Sequence, residues 1–154
     1  MTIRRLQAAD LEALYAIAAA SPEAASWTVE AYEALLGESS HDHCWVAEHE
    51  GQVVAFACFR VAGEEAELLN FAVLPGWRRQ GMASRLLEHV LQEATAEGAK
   101  EMFLEVRGSN RSARLLYERH GFELYGCRPG YYAAPPSDAF LLRCQLRHSG
   151  HSPA

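Results

Sequence analysis

The spacing of apolar residues changes from one segment of this chain to the next and divides it into strands and helices. Residues 2–6 are predicted as a short strand, and apolar side chains at i, i+3, i+4 and i+7 over residues 8–20 predict an amphipathic helix. Thr28 is a suitable N-cap for a second, shorter helix that ends near residue 36. The chain therefore begins with one strand and two helices.

The middle of the chain predicts three antiparallel strands joined by short turns that contain glycine. These strands cover residues 44–48, 52–61 and 66–74. A long helix over residues 82–97 follows, with its apolar side chains on one side and Gly98 after its last turn. The remaining segments are predicted as a strand over 101–106, a helix over 110–120 and strands over 122–127 and 139–146.

The order of these elements predicts the fold class. Strands flank each of the last two helices, so we expect part of the sheet to be parallel, with right-handed crossovers. The expected fold is α/β of the mixed α+β kind, a single central mixed sheet of about seven strands flanked by about four helices. We expect one domain over residues 1–147 and a short disordered tail over residues 148–154.

Composition places the chain among ordinary globular proteins, because 49% of its 154 residues are apolar and 22% are charged. No apolar run approaches the length of a membrane span, and the first residues lack the apolar segment of a signal peptide, so we expect a cytoplasmic protein. The formal net charge of −6 disfavours a nucleic-acid-binding surface. It is compatible with a basic partner, although solubility is the simpler explanation.

The cysteines fall in or beside strand-like apolar segments and form no Cys-x-x-Cys pair, so we expect buried free thiols. They are Cys44, Cys58, Cys127 and Cys144. His41 and His43 precede the first of them, but neighbours in a strand point to alternate faces. The spacing therefore predicts no metal site.

The segment between the strand that ends at Leu74 and the helix that begins at Met82 contains two adjacent arginines and a glycine. A glycine turn that opens a helix presents unpaired backbone N–H groups at the positive end of the helix dipole, where a phosphate or pyrophosphate binds. Arg78 and Arg79 add cationic donors. The segment lacks the lysine and hydroxyl of a P-loop, and an ordinary turn with a solvated basic tip is the alternative.

Two residues in the following strand and helix have side chains suited to proton transfer. Glu105 interrupts an apolar strand, where a partly desolvated carboxylate can serve as a general base. The alternative is a salt bridge with Arg107 or Arg111, or a carboxylate that points to solvent. Tyr117 can donate a proton to a leaving group, because a phenol is protonated at neutral pH, or it can simply pack in the core.

Taken together, these motifs resemble the GNAT N-acetyltransferases. The motifs are Arg-x-x-Gly-x-Ala at 78–83, Leu-Glu-Val-Arg at 104–107 and Asn-x-x-Ala-x-x-Leu-Tyr-x-x-x-Gly-Phe at 110–122. Within that family the chain is similar to bacterial ribosomal-protein-alanine N-acetyltransferases, because residues 26–28 resemble a Pro-Trp-Ser/Thr segment and residues 128–132 an Arg-x-x-Tyr-Tyr segment. The resemblance covers nearly the whole chain.

The resemblance implies acetyl-CoA as the co-substrate, without a metal, and it assigns roles to residues of this chain. Glu105 is implied as the proton acceptor and Tyr117 as the proton donor, while Trp27, Tyr131 and Tyr132 lie near the acceptor groove. The residues implied to bind acetyl-CoA are Phe71, Ala72, Val73, Arg78, Arg79, Gln80, Gly81, Met82, Ala83, Ser84 and Asn110.

The implied acceptor is a protein N-terminus, the N-terminal alanine of a small-subunit ribosomal protein. Making an α-amine neutral at pH 7 costs about 1 kcal/mol, against about 4–5 kcal/mol for lysine, so a single carboxylate suits an α-amine better. A basic ribosomal protein fits the acidic chain, and we expect a monomer that contacts neither nucleic acid nor membrane. The alternatives are an acetyltransferase for protein lysine or a small amine, and a non-catalytic acyl-CoA-binding sensor.

Overall fold

Within residues 1–22, 24–37, 41–78, 81–133 and 135–147, which the computed structural model describes, seven strands and four α-helices follow in the predicted order. The strands are β1 (Thr2–Arg5), β2 (Asp42–His49), β3 (Gln52–Ala62), β4 (Glu65–Val73), β5 (Glu101–Arg107), β6 (Glu123–Ala133) and β7 (Pro136–Gln145). The helices are α1 (Leu11–Ala19), α2 (Val29–Ala34), α3 (Met82–Ala96) and α4 (Arg111–Arg119). The tail over 148–154 lies outside the described residues, so its disorder and the domain boundary stay predictions.

All seven described strands belong to one mixed sheet with the order β1-β2-β3-β4-β5-β7-β6. The predicted meander of β2, β3 and β4 is confirmed as antiparallel. β4 and β5, which α3 connects, are parallel neighbours, as the flanking strands predicted. β7 inserts between β5 and β6 and is antiparallel to both. The mixed α/β fold class is therefore confirmed.

β4 and β5 pair along only part of their lengths. Their parallel register among the described residues consists of three positions, which end with Glu67 opposite Phe103. β4 continues to Val73 and β5 to Arg107, so both strands run on beyond their last paired residues. The sheet therefore opens between the carboxyl ends of these two strands, where ligands gather in α/β folds.

A β-bulge changes which side chains of β4 face each side of the sheet. The register with β3 shifts so that Phe59 lies opposite Leu68 while Cys58 lies opposite Asn70, which leaves Leu69 as the extra residue. Leu68 consequently packs in the core beneath α3, whereas Ala72, beyond the bulge, packs in the core beneath α1 and α2. The bulge thus reorients the end of the strand that borders the opening.

The two faces of the sheet are covered by different helices. α3 and α4 cover one face, where the predicted apolar side of α3 is buried through Leu86, Leu87 and Val90. α1 and α2 cover the other face, where Leu14 and Tyr32 pack with strand residues such as Phe56. The carboxyl ends of β4 and β5 are thus bordered by both helical layers.

The last hairpin is longer than predicted. The predicted strands ended at residue 127 and resumed at residue 139, but β6 and β7 pair as far as Ala133 and Pro136. Gly130 takes a left-handed conformation with φ of +63°, and its N–H donates to Asp138 at 2.9 Å within an irregular stretch of the register. The irregularity accommodates these residues and keeps Tyr132 in the strand.

Two smaller predictions are corrected by the structure. α1 begins at Leu11 rather than at residue 8, because residues Ala8–Asp10 form a 3-10 turn in which Asp10 accepts the Gln7 N–H at 2.7 Å. Cys127 is exposed rather than buried, because β6 is the edge strand and one of its sides faces solvent. The other three cysteines are buried free thiols, as predicted.

Candidate active site

The opening between β4 and β5 leads into a cleft of about 780 Å³. It is lined by both strands, by the N-terminal turn of α3, by α4 and by the connection between α1 and α2. The predicted site residues that line it are Phe71, Ala72, Val73, Arg78, Gly81, Ala83, Ser84, Glu105, Asn110, Tyr117 and Tyr132. Arg79 and Gln80 lie outside the described residues. Segments far apart in sequence therefore meet in one space.

The backbone of β4 presents alternate residues to the cleft. The Leu74 N–H donates to the Val54 carbonyl of β3 at 2.8 Å, which fixes the phase of the antiparallel ladder. Because backbone polar groups alternate along a strand, the N–H and C=O of Phe71 and Val73 point away from β3 and toward the opening, whereas those of Ala72 point toward β3. This edge is available to an extended ligand that carries amide groups.

The N-terminus of α3 lies at one end of the cleft. Its N-cap is Gly81, which has φ of +74°, and a Cβ added there would meet no atom within 4 Å, so glycine is required by the backbone conformation rather than by space. Gly81 has no side chain that could accept the first-turn N–H groups of α3, and such N–H groups at a helix start favour an anion. Arg78 folds back instead, and its Nε donates to the Val73 carbonyl at 3.2 Å.

The first turn of α3 is also tied to α4. Ser84 Oγ and His120 Nε2 are 2.6 Å apart in a hydrogen bond. The Met82 side chain is buried in the core, so only its backbone is placed to meet a ligand. At the start of α4, Asn110 is the N-cap, and its Oδ1 accepts the Ala113 N–H at 3.2 Å. The first contact joins the start of α3 to the end of α4, and the second caps the first turn of α4.

Glu105 lies on the face of β5 that is opposite to the buried Leu104 and Val106, as strand alternation predicted. Its side chain is 31% exposed. The Tyr132 hydroxyl donates to Oε1 at 3.1 Å, and Arg128 Nη1 lies 3.9 Å from Oε2. The ionic partner is therefore Arg128 of β6 and not the Arg107 or Arg111 that the sequence suggested.

Tyr132 is held by contacts to its ring, from Arg107, and to its hydroxyl, from Glu105. The Arg107 guanidinium lies 4.1 Å from the centre of its ring and donates to the Pro135 carbonyl at 2.7 Å. Burial, followed by the hydrogen bond to Glu105, raises the pKa of Tyr132 to about 12. Tyr132 therefore stays protonated across the physiological range and keeps donating to the Glu105 carboxylate.

Tyr117 both packs in the core and lines the cleft. It is 7% exposed. Its ring makes edge-to-face contacts with Phe71, at 6.4 Å between centroids, and with Phe122, at 5.6 Å. The two interpretations of this tyrosine, as a core residue and as a proton donor at the cleft, are thus compatible.

Of the acceptor residues suggested by the resemblance, Tyr131 and Tyr132 are in contact, with 5.2 Å between their ring centroids, whereas Trp27 packs elsewhere. Tyr132 lines the cleft, Tyr131 is 53% exposed beside Arg128, and Trp27 packs against the Tyr32 ring at 5.2 Å. The contact between Trp27 and Tyr32 fastens α2 to the core. The cleft is bordered there by residues that the sequence analysis missed, namely Pro22, Ala24, Ala25 and Ser26.

Asn70 is a further residue of the cleft that the sequence analysis missed. It is 3% exposed, lines the cleft and hydrogen-bonds to Ala25 and Tyr32. A polar side chain inside the apolar run over residues 68–74 was the signal that could have found it.

Neither a metal centre nor a membrane helix is found in the described part of the chain. No group of three or more His, Cys, Asp or Glu side chains is arranged there to hold a metal ion. None of the helices described there is long and apolar enough to span a bilayer.

Comparison with known proteins identifies the class of this chain. The model of the acetyltransferase (GNAT) family matches residues 11–122. The chain therefore belongs to the GNAT family and is an acetyltransferase, as its motifs and cleft predicted.

Individual relatives narrow the class. The ribosomal protein bS18-alanine N-acetyltransferase of Escherichia coli strain K12 is 37% identical over 131 residues, which cover 85% of this chain and 86% of that protein. The protein of the same name from Salmonella typhimurium is 40% identical over 93 residues, or 59% of this chain and 63% of that one. The crystal structure of the Escherichia coli ribosomal-protein-S18-alanine N-acetyltransferase superposes with a TM-score of 0.85 at 33% identity, covering 99% of this chain and 98% of that one.

Proposed function

We propose that this acetyltransferase transfers the acetyl group of acetyl-CoA to the N-terminal α-amine of a protein, and that its acceptor is the N-terminal alanine of a small-subunit ribosomal protein. The observation that carries the proposal is the cleft between the diverging ends of β4 and β5, because it is lined by Glu105, Tyr117 and an open strand edge. The names of the Escherichia coli and Salmonella relatives support this acceptor.

The cofactor half of the proposal rests on backbone groups. The pantetheine arm lies along β4 and pairs with the cleft-facing N–H groups of Phe71 and Val73 and with the Phe71 carbonyl, since the Val73 carbonyl accepts from Arg78. The backbone groups of Ala72 point toward β3, so Ala72 makes no hydrogen bond to the arm. The pyrophosphate lies at the N-terminus of α3, where the first-turn N–H groups and the helix dipole favour an anion. The other residues proposed to contact acetyl-CoA are Arg78, Arg79, Gln80, Gly81, Met82, Ala83, Ser84 and Asn110.

The chemistry is a direct transfer without an acyl-enzyme. The amine nitrogen attacks the thioester carbonyl carbon, a C–N bond forms, and the C–S bond breaks. Glu105 accepts the proton that the amine loses, directly or through a water, while Tyr132 holds the carboxylate in place. Tyr117 donates a proton to the departing thiolate and regains one from solvent. The cleft-facing N–H groups of β4 stabilise the oxyanion.

The acceptor half of the proposal rests on charge and on the protonation of the amine. Glu105 is partly exposed, so an incoming amine can reach it. Glu67 and Glu105 line the cleft beside three arginines, Arg78, Arg107 and Arg119, so a basic acceptor segment is favoured only where it meets the two carboxylates. The small free-energy cost of making an α-amine neutral suits a site whose base is one carboxylate. Trp27, Tyr131 and Tyr132 are proposed to border the acceptor peptide.

The experiment is a transfer assay on a peptide with two competing amines. The protein is incubated with acetyl-CoA and a hexapeptide that starts Ala-Arg and contains one internal lysine, and fragmentation mass spectrometry locates the acetyl group. We expect acetylation of the α-amine and none of the lysine. The same peptide with a blocked N-terminus, which keeps the lysine, is the matched control and should not react.

Other outcomes would replace the proposal. Acetylation confined to lysine would identify a lysine acetyltransferase, and transfer only to small amines would identify a small-molecule enzyme. Tight binding of acetyl-CoA without transfer to any amine would identify an acyl-CoA sensor.

A further inference from the structure

Asn70 is a buried polar residue that the proposed chemistry does not use. It lies in β4, directly before the residues whose backbone faces the cleft, and directly after the bulge at Leu69. Beyond the bulge, alternate residues of β4 share the face that α1 and α2 cover, and Asn70 lies on that face together with Ala72. An amide buried in such a place requires hydrogen-bond partners, because leaving it unpaired costs about 1–3 kcal/mol.

Both polar atoms of the Asn70 amide have partners on the α1–α2 side. Oδ1 accepts the backbone N–H of Ala25 at 3.1 Å, and Nδ2 donates to the Tyr32 hydroxyl at 3.2 Å. Tyr32 is 3% exposed and packs against Trp27 and Phe56. The side chain therefore connects β4 to α2 and to the segment that precedes α2.

The described residues of the connection between α1 and α2, 20–22 and 24–28, border the cleft but are not part of the sheet. Local backbone bonds, such as Ala24 N–H to the Ser21 carbonyl at 3.0 Å, shape it internally. The Asn70 to Ala25 bond joins the middle of this connection to the strand whose edge faces the cleft. Ala24, Ala25 and Ser26 all line the cleft, so this bond joins one wall of the cleft to β4.

We propose that Asn70 is a positioning residue for the acceptor, which holds residues 24–26 at a fixed distance from β4 so that the acceptor amine enters beside Glu105. This inference rests on the proposed function, because it concerns the acceptor of the same reaction. Asn70 touches neither the base nor the acid in the described contacts, and it acts through the connection. Its loss should weaken use of the acceptor and spare use of acetyl-CoA.

Steady-state kinetics with the Ala-Arg peptide test the inference. In Asn70→Leu, which removes both hydrogen bonds at similar volume, we expect the KM for the peptide to rise about tenfold, while the KM for acetyl-CoA stays within twofold. Tyr32→Phe removes one bond and keeps the aromatic packing, so the peptide KM should rise about threefold. This second variant keeps the test open if Asn70→Leu folds poorly.

Thr95→Val is the matched structural control. Thr95 is also a buried polar residue, at 7% exposure, and its Oγ1 donates to the Leu91 carbonyl at 2.8 Å within α3. Its loss should lower the unfolding temperature without changing either KM. If Asn70→Leu behaves like this control, or if it raises both KM values equally, Asn70 is only a structural residue and the inference is wrong.

Hydrogen exchange separates this inference from the proposed function. In the wild-type protein the Ala25 amide should exchange slowly, and Asn70→Leu should speed exchange in a fragment covering residues 20–28 at least tenfold, with β4 unchanged. Unchanged exchange in that fragment would overturn the inference. If the wild-type protein does not acetylate the peptide, the proposed function fails, while the exchange result still decides whether Asn70 holds the connection.

Discussion

The substitution Tyr117→Phe tests the proposed proton donor with little disturbance of the fold. Tyr117 makes edge-to-face contacts with Phe71 and Phe122, and phenylalanine keeps both. Loss of one hydroxyl from a buried ring should change the free energy of unfolding by about 1 kcal/mol. A loss of that size leaves nearly all of a protein of ordinary stability folded, so a large fall in turnover must come from the chemistry.

The size of the expected effect follows from the acidities of the two groups. A phenol has a reference pKa of about 10 and a thiol of about 8.5, so moving a proton from phenol to thiolate is uphill by about 2 kcal/mol. We therefore place the rate enhancement from this acid at the lower end of the range of about 10²–10⁴ that general acid–base catalysis supplies. We expect kcat to fall about 100-fold, or about 2.7 kcal/mol in the barrier, with the Kd for acetyl-CoA unchanged.

The assay measures acetylated peptide by mass spectrometry at saturating concentrations of both substrates, and acetyl-CoA binding by calorimetry. Tyr15→Phe is the control, because Tyr15 also packs edge-to-face on an aromatic ring, that of Tyr32, but on α1. The kcat of Tyr15→Phe should stay within twofold of the wild-type value. An acetyl donor with a more acidic thiol should narrow the difference between wild type and Tyr117→Phe. Unchanged kcat in Tyr117→Phe would refute its role as the acid.

Three further predictions concern the base, the helix start and the N-terminal ion pair. Glu105→Gln should lower kcat/KM about 100-fold at pH 7, with partial recovery at higher pH as more amine is neutral, and a pH–rate profile checks this. Gly81→Ala forces a side chain into φ of +74°, at a cost of about 1 kcal/mol, and should weaken acetyl-CoA binding in calorimetry; equal affinity would contradict it. The hydrogen bond with Arg4 lowers the pKa of Asp10, so its stabilisation is full above about pH 4 and is lost as pH falls through the lowered value. Asp10→Asn should therefore unfold more easily than wild type at pH 7, while the two proteins converge in acid, as measured by urea denaturation.

The elements of the fold were predictable because their signals are local. The period of the apolar residues in α3 and the glycines between β2, β3 and β4 fixed those elements from the sequence. The insertion of β7 between β5 and β6 was not predictable in the same way, since strand order depends on contacts between distant segments. The length of the last hairpin was also missed, because an irregular register absorbs Gly130.

The site was predictable where one residue departed from its surroundings. Glu105 was recognisable as an acid within an apolar strand, but its partners were not, because Tyr132 and Arg128 reach it from β6, two strands away in the sheet. Asn70 departed from its surroundings in the same way. Its role depends on the bulge at Leu69, and a bulge is set by the register between two strands rather than by the sequence of one.

The divergence of β4 and β5 also bears on aggregation. An unpaired strand edge normally invites pairing with another protein, and most sheets protect their outer edges with charge, short length or covering loops. Here unpaired edges lie inside the sheet, between strands that are themselves paired on their other sides. A neighbouring protein cannot bring a sheet into a gap of this kind, whereas a single extended molecule can enter it. The enzyme can therefore leave backbone N–H and C=O groups of these strands unpaired for small extended ligands. At this position it offers no exposed strand edge to other folded proteins.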